Sequence, residues 1–143
     1  GDVYIILDEE TQLVCGPGFE PSTDFTQCLA CPQGKFSEHE GLGFCTACDA
    51  GKASPEKQAV SSATCTDCDV GKNSSAGSSV CSSCPPGTYT DEKSSSECKS
   101  CPKGTYNDKN GSTTSSGCIA CDEGYGTLLE ATNSSLKCLP CFD

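Results

Sequence analysis

Cysteine thiols are the residues of this chain that could do chemistry, because they recur at one fixed spacing. Seven Cys-x-x-Cys pairs follow one another, and Cys15 stands alone before the first of them. Thiols at this spacing can bind zinc, exchange disulfides as a redox pair, or form structural bridges. The pairs are Cys28/Cys31, Cys45/Cys48, Cys65/Cys68, Cys81/Cys84, Cys98/Cys101, Cys118/Cys121 and Cys138/Cys141.

Structural disulfides are the favoured interpretation of these cysteines. Two successive pairs resemble the ligand set of a zinc ribbon, but seven pairs leave one over and Cys15 belongs to no pair. A redox role is weaker, because no βαβ pattern surrounds any copy. Three Asn-x-Ser tripeptides, at Asn73, Asn110 and Asn133, suit a secreted, oxidising environment. A zinc-binding repeat array is kept as the second alternative.

The repeat restricts how the cysteines can pair. In a ladder, the second Cys of each pair bonds the first Cys of the next pair, which leaves Cys141 without a partner. A crossed scheme would leave Cys15, Cys138 and Cys141 over, so the ladder is more economical. It predicts the bridges Cys15/Cys28, Cys31/Cys45, Cys48/Cys65, Cys68/Cys81, Cys84/Cys98, Cys101/Cys118 and Cys121/Cys138.

The composition requires such cross-links. Leu, Ile, Val and Phe make up only 21 of 143 residues, Trp and Met are absent, and the net charge is -11. Apolar burial at about 25 cal/mol per Å² would not offset the chain entropy, whereas each bridge contributes about 3 kcal/mol. The acidic balance disfavours nucleic acid and anionic membranes. No apolar run approaches the ~20 residues that span a bilayer, so we expect no direct membrane insertion within this span.

A common register divides the chain into seven units, each beginning Cys-x-x-Gly. The predicted units, numbered 1 to 7 below, are 15–30, 31–47, 48–67, 68–83, 84–100, 101–120 and 121–140. Their lengths hint at a 53-residue super-repeat. Residues 1–14 precede the units as an N-terminal strand segment, and residues 141–143 are a further unit's start or the C-terminal end. The first residue is Gly1 rather than Met, so we expect a mature or excised segment.

Within the units we expect short two-stranded ladders and turns, because no helical apolar period is present. Asn110-Gly111 is the best hairpin signal. An aromatic residue follows the unit glycine in five units, and each ring is predicted to cover its own disulfide as a miniature core. These rings are Phe19, Phe36, Tyr89, Tyr106 and Tyr125.

Two units show a family resemblance. The segments Cys84-Pro-Pro-Gly-Thr-Tyr89 and Cys101-Pro-Lys-Gly-Thr-Tyr106 look like the cysteine-rich repeats of ephrin-receptor-like and tumour-necrosis-factor-receptor-like extracellular proteins. The resemblance spans residues 15 to 141 and implies an elongated, non-catalytic rod of small β modules with disulfide rungs. The predicted fold class is therefore small, disulfide-rich and mostly β or irregular. Asp replaces the motif's Pro after Cys48, Cys68 and Cys121, and no receptor-type ligand residue is transferred.

Other candidate chemistry is sparse in the sequence. His39, flanked by Glu38 and Glu40, has no nearby nucleophile and is expected on the surface. The segment 107–111 resembles part of a calcium loop, but its register puts Tyr106 and Gly117 where acidic ligands are required. We therefore predict no enzyme activity, no metal and no cofactor. The sequons at Asn73, Asn110 and Asn133 are candidate N-glycosylation sites, with covalent glycans as the attached groups.

The N-terminal segment suggests how the rod could be used. Val3, Tyr4, Ile5, Ile6 and Leu7 form the most β-prone stretch, and an unpaired apolar strand invites pairing with another chain. We predict an extracellular structural or adhesive protein, secreted or at the cell surface, that self-associates into a fibre or surface assembly through this strand. Capping of the first unit by the same strand is the simpler use of it. A receptor-type ectodomain binding a protein ligand is the alternative function, and Cys141 is predicted to be unpaired or intermolecular.

Overall fold

A computed structural model describes residues 13–41 and 43–141. The predicted assembly strand, Val3 to Leu7, lies outside the described residues. Within them, seven separate two-stranded antiparallel sheets follow one another along the chain, each joining neighbouring strands. The chain is a small, disulfide-rich rod of repeated units with short strand pairs, which confirms the predicted fold class.

Each two-stranded sheet lies within one predicted unit. The longest pair joins Phe19–Pro21 (β1) to Cys28–Ala30 (β2). Every later strand has two residues. The later pairs are Lys35–Phe36 (β3) with Thr46–Ala47 (β4), Lys52–Ala53 (β5) with Thr66–Asp67 (β6), Lys72–Asn73 (β7) with Ser82–Ser83 (β8), Thr88–Tyr89 (β9) with Lys99–Ser100 (β10), Thr105–Tyr106 (β11) with Ile119–Ala120 (β12), and Tyr125–Gly126 (β13) with Leu139–Pro140 (β14).

A tight turn opens each unit. In unit 2 the N–H of Lys35 donates to the C=O of Pro32 at 3.1 Å, and Gly34 between them has a φ of 81°. A type II turn requires positive φ at its third residue, which glycine adopts without steric cost. The same bond recurs in units that begin Cys-Asp, such as Lys52 to Asp49. Pro and Asp are interchangeable there because the first turn residue contributes only its carbonyl.

Seven disulfides close the units in the pairing that the ladder predicts. Each bridge joins cysteines 13, 14 or 17 residues apart, with Cα–Cα distances of 5.5 to 5.8 Å. The bridges are Cys15–Cys28, Cys31–Cys45, Cys48–Cys65, Cys68–Cys81, Cys84–Cys98, Cys101–Cys118 and Cys121–Cys138.

Three short 3-10 helices distinguish the longest units. They are Ser62–Thr64, Ser115–Gly117 and Ser135–Lys137, and each ends directly before a closing cysteine. The first two lie 53 positions apart, as do the parallel bridges from Phe36 to Ala59 and from Tyr89 to Ser112. The 53-residue spacing of the sequence is therefore also a spacing of the structure, although side chains other than Cys and Gly differ between its copies.

The hairpin predicted at Asn110-Gly111 is wrong. Strands β11 and β12 are joined by residues 107–118, so Asn110 and Gly111 do not link two paired strands directly. Gly111 has a φ of 68°, and its N–H donates to the C=O of Cys84 in the preceding unit. A contact between units decides this conformation, which a local turn signal cannot reveal.

Cystine sulfur takes the place of an apolar core. Eight of the buried apolar residues are half-cystines, and Leu13, Pro21, Ala53 and Ala59 accompany them among the described residues. Larger apolar side chains are mostly exposed, Phe44 and Val80 for example at 61% and 64%. The rod is therefore stabilised from within each unit by its bridge and between units by the contacts described next.

Candidate functional site

Neighbouring units are joined by backbone hydrogen bonds. Between units 3 and 4, the N–H of Gly51 donates to the C=O of Ser74 at 2.9 Å, and the N–H of Gly77 donates to the C=O of Cys48 at 2.8 Å. Because these bonds use the main chain, they place few demands on side chains. We call this arrangement the joint, and it explains why most side chains other than Cys and Gly vary between the units.

The joint recurs along the described chain. In five joints, the N–H of a unit's glycine donates a hydrogen bond to the C=O of the following unit's residue six places after its opening cysteine. These bonds run from Gly18 to Ser37, Gly34 to Ser54, Gly51 to Ser74, Gly71 to Thr90 and Gly87 to Asn107. Each opening cysteine's carbonyl accepts from a positive-φ residue of the following unit in six joints. These bonds run from Gly41 to Cys15, Gln58 to Cys31, Gly77 to Cys48, Ser94 to Cys68, Gly111 to Cys84 and Ala131 to Cys101.

The unit glycines also allow close approach between units that are two apart. A Cβ built on Gly71 would lie 2.5 Å from the carbonyl oxygen of Gly111, two units further on. Gly18, Gly34, Gly51 and Gly87 face a carbonyl oxygen in the same relation, at 2.7 Å or less. The sequence predicts positive φ or close approach for this glycine, and at these five positions the structure requires both.

In units 2 to 7 the residue six places after the opening cysteine is a small polar residue that sequence reasoning missed. Ser54, Ser74, Thr90, Asn107 and Thr127 occupy it and are all buried. Asn107 is 1% exposed, and its Nδ2 donates to the Thr88 C=O at 3.1 Å and to Ser112 Oγ at 2.8 Å. The recurrence of Ser, Thr or Asn at this offset was the signal in the sequence.

Two acidic side chains connect neighbouring units by a hydrogen bond to the main chain. Glu20 Oε2 of unit 1 accepts from the N–H of Cys45 in unit 2 at 2.9 Å. Glu38 Oε1 accepts from the N–H of Ser62 at 2.9 Å, at the start of the 3-10 helix of unit 3. This bond lowers the pKa of Glu38 below its ordinary value of 4.5, because it favours the ionised carboxylate. Glu38 therefore strengthens the contact between units 2 and 3 when it is charged.

Exposed ion pairs lie on the surface of the middle units. Lys99 Nζ lies 2.6 Å from Asp91 Oδ1 and 3.1 Å from Glu92 Oε1. The hydrogen bond from Lys99 lowers the pKa of Asp91, and the hydrogen bonds to Asp91 and Glu92 raise the pKa of Lys99. Exposed pairs of this kind contribute little stability, and these groups are surface charges rather than a reactive site.

Unit 7 differs from the units before it. Its opening cysteine, Cys121, is half-buried, whereas the six earlier opening cysteines are 0 to 1% exposed. A Cβ on Gly124 or Gly104 would meet nothing within 4 Å. Each earlier opening cysteine is covered by the unit that follows it, so the described structure leaves this end of the stack open.

An apolar groove lies on unit 7. It has a volume of about 350 Å³ and is bordered by Leu128, Leu129, Leu136 and Leu139, which are 75%, 73%, 88% and 46% exposed. Lys137 is the cation on its border. We call these four leucines and their cleft the leucine groove; the sequence analysis did not single them out.

Cys141 follows directly after strand β14. Its N–H donates to the C=O of Gly124 at 2.8 Å, the bond that every earlier opening cysteine from Cys31 onward makes with the glycine before it. Its thiol is exposed, and it is the free cysteine among the described residues. Cys141 therefore occupies the first position of a unit in its backbone contacts.

Three of the four remaining predicted residues are exposed. Asn110 and Asn133 are exposed, whereas Asn73 is half-buried and its Nδ2 donates to the Ser96 C=O at 3.2 Å. His39 is exposed. Glycosylation of the three asparagines remains a prediction.

Two aromatic rings lie beside a neighbouring unit's bridge. Phe36 of unit 2 borders a shallow pocket together with Cys48 and Cys65 of unit 3. Tyr106 of unit 6 likewise shares a pocket with Cys121 and Cys138 of unit 7. These rings lie at the junction of successive units; cover of each ring's own disulfide remains a prediction.

The described residues contain no cluster of three or more His, Cys, Asp or Glu side chains arranged to hold a metal ion. Fourteen cysteines are bonded in pairs as cystines and present no thiolate to zinc. Among residues 13–41 and 43–141, no helix is long and apolar enough to cross a membrane.

The fold and its joints define a class of protein, the rods of tandem cysteine-rich repeats held by disulfides. Residues 71–118 match the model of the family described as tyrosine-protein kinase ephrin type A/B receptor-like. The chain thus contains an ephrin-receptor-like cysteine-rich repeat, a domain that is non-enzymatic in itself and indicates an extracellular or cell-surface protein. No curated protein matches the chain.

Proposed function

We propose that this chain is a non-enzymatic, extracellular structural rod that self-associates through its N-terminal strand, Val3 to Leu7. The observation that supports a structural role best is the joint, which fixes each unit to the next through the main chain. The side chains on the outside of the rod are therefore not needed to hold the units together. A stiff rod with an apolar strand at its start is suited to spacing, adhesion or fibre assembly.

The absence of reactive side chains from the joints is consistent with this role. Bridged cysteines are not nucleophiles, and the described clefts lie open on the surface of the rod. The same proposal includes secretion and N-linked glycans at Asn73, Asn110 and Asn133. The cystine ladder supports them, because disulfides of this density persist in oxidising environments.

Sedimentation velocity of the full chain over a range of concentrations tests self-association. We expect a concentration-dependent increase in sedimentation coefficient, and we expect deletion of residues 1–9 to abolish it. A full chain that stays monomeric at every concentration would contradict assembly. Circular dichroism and non-reducing gels of the deletion variant control for loss of the disulfide fold.

Cys141 supplies a possible covalent contact between chains, since its thiol is exposed. We propose that it is unpaired within its own chain and available to a second chain. A disulfide-linked dimer on a non-reducing gel that disappears in Cys141→Ser is the expected result. A monomeric band for both proteins would show that Cys141 forms no bridge to another chain.

A receptor-type ectodomain that binds a protein ligand is the second candidate function. The match of residues 71–118 to the ephrin-receptor-like family favours it. It predicts a monomeric rod with a surface patch for a soluble partner, rather than homotypic assembly. Sedimentation of the full chain therefore also separates the two candidates.

A further inference from the structure

Two clefts on the rod are lined by equivalent residues of different units. The first junction cleft lies between units 2 and 3 and has a volume of about 320 Å³; the second junction cleft lies between units 6 and 7 and has a volume of about 260 Å³. Each is lined by the ring five places after an opening cysteine and by the bridge of the following unit. The equivalent lining residues are Phe36 and Tyr106, Ala47 and Ala120, Cys48 and Cys121, Asp49 and Asp122, Lys52 and Tyr125, Ser62 and Ser135, and Cys65 and Cys138.

The two junction clefts differ in the charge of one lining residue. In the first, Lys52 lines the cleft together with Asp49, and its Nζ lies 3.0 Å from Asp67 Oδ1. In the second, Tyr125 stands in the position of Lys52, and Pro140 replaces Asp67 as the residue opposite it in the strand pair. The second junction cleft therefore has a second ring where the first has a cation of the chain itself.

The carboxylate of the second junction cleft has no cation beside it. Asp122 carries the only charge among the described residues that line this cleft, and no salt bridge between described residues involves it. Asp122 and Tyr125 are exposed, and Tyr106 is half-buried. The neighbouring Glu123 is a second exposed carboxylate, whereas Lys137 borders the leucine groove. The cleft thus combines two rings and a carboxylate without a cation of its own.

Two rings and a carboxylate suit an organic cation. The face of an aromatic ring attracts an ammonium or guanidinium group through its quadrupole, and a carboxylate accepts a charge-assisted hydrogen bond from the same group. The net charge of -11 attracts cations to the chain as a whole. A ligand of this class would supply the positive charge that Lys52 supplies in the first junction cleft.

We propose that the second junction cleft binds the cationic group of an arginine or lysine side chain of a partner protein. The rings of Tyr106 and Tyr125 contact the guanidinium or ammonium group, and Asp122 accepts its hydrogen bond. This inference goes beyond the structural role and does not depend on self-association, because one copy supplies every lining residue. Stacking of a following unit leaves such a cleft open, as the first junction cleft shows with unit 4 behind it.

The tyrosine ring signals in the NMR spectrum of the full chain report binding directly, at a protein concentration where sedimentation shows one species. The probe is N-acetyl-arginine amide, and N-acetyl-citrulline amide is its uncharged isostere. We expect the arginine probe to shift the ring signals of Tyr106 and Tyr125 saturably, and the citrulline probe to leave them unchanged. Tyr89 is the internal reference, because Pro102 stands at its junction in the position of Asp122.

Three variants test which residues form the site. Asp122→Asn removes the charge at nearly constant shape and should weaken binding of the arginine probe by about threefold. Tyr125→Lys restores the lysine of the first junction cleft and should abolish binding. Asp69→Asn is the matched control, because Asp69 also follows an opening cysteine but Ala53 stands where the ring would be. The control should bind the arginine probe as the parent does.

Four results would overturn the proposal. They are the absence of a saturable shift at Tyr106 and Tyr125, equal shifts by the arginine and citrulline probes, and equal weakening by Asp122→Asn and Asp69→Asn, which would assign the effect to net charge alone. The fourth is tighter binding of tetramethylammonium than of the arginine probe, which would make a small quaternary ammonium ion the ligand. Unchanged disulfide formation and circular dichroism in each variant show that folding is retained.

Discussion

Units 2 to 6 and unit 7 share one local design and differ in what surrounds it. All of them have a cystine, a short strand pair and a positive-φ glycine three places after the opening cysteine. The opening cysteines of the middle units are fully buried, whereas Cys121 is half-buried. Burial of the opening cysteine therefore comes from the following unit, and the separate units depend on the stack for the covering that a protein core usually provides.

The loops show the opposite trend. Middle units expose mostly polar or charged loop residues, and unit 7 exposes leucines. In the middle units the main chain holds the neighbouring unit, so the loop side chains can be polar and solvated. In unit 7 the exposed leucine side chains, rather than the main chain, are available for contact. Paired variants, one in the middle and one in unit 7, can separate these two effects.

Removal of a disulfide should give the largest effect. The bridges Cys48–Cys65 and Cys121–Cys138 both join cysteines 17 residues apart, so their loss releases the same loop entropy, about 3 kcal/mol. Replacing both cysteines of Cys48–Cys65 by Ser should lower the local free energy of unfolding more than the same replacement at Cys121–Cys138. The reason is that unit 3 has a packed neighbour on each side, and both neighbours lose it. Hydrogen exchange across each unit measures this difference, and equal losses would contradict the role of stacking.

Alanine at a unit glycine should have the next largest effect. Gly51 and Gly124 have φ of 85° and 82°, so Ala costs about 1 to 2 kcal/mol of backbone strain at each. A methyl group on Gly51 would also overlap the carbonyl of Ser94, whereas one on Gly124 meets nothing within 4 Å. We expect Gly51→Ala to lose about 1 to 3 kcal/mol more than Gly124→Ala in urea unfolding. A smaller loss for Gly51→Ala would argue against close packing of units two apart.

The buried polar position should follow. Asn107→Ala removes three hydrogen bonds at a residue that is 1% exposed, including one that its Oδ1 accepts from the Lys109 N–H. Thr127→Ala in unit 7 removes the acceptor of the Gly104 N–H. We expect losses of about 2 kcal/mol and about 1 kcal/mol, respectively. Thr127→Ser, which keeps the hydroxyl, should unfold at nearly the parent urea concentration.

The smallest effect should be the pH response of a middle loop. Glu38 accepts a hydrogen bond from Ser62, and this lowers its folded-state pKa. A lowered pKa contributes stability above the unfolded value of 4.5, and that contribution is lost as pH falls through the folded value. The protection of the Ser62 N–H against hydrogen exchange, measured relative to the intrinsic rate at each pH, should therefore decrease as the pH falls below 4.5. Glu38→Gln should remove this extra loss; an unchanged pH profile would show that Glu38 is not its source.

The repeat, the cystine ladder and the strand pairs could be predicted from the sequence, since each depends on residues close in the chain. Cys-x-x-Gly fixes a turn, and the turn fixes the two strands that a bridge then closes. The Asn110-Gly111 turn was predicted wrongly because its glycine serves the neighbouring unit. The leucine groove could not be predicted either, because Leu128 and Leu136 are separated in sequence and border one cleft only in the folded unit 7.

The sequence by itself determined which residues are bonded and where each unit begins, because disulfide register and glycine turns are local. Only the tertiary structure decided how the units cover one another. Main-chain donors and acceptors form the joint, and every residue but proline has both, so the recurring Ser, Thr or Asn marks the accepting position without showing which donor pairs with it. The same structure showed that Cys121 is left half-buried and that four leucines of unit 7 border one cleft.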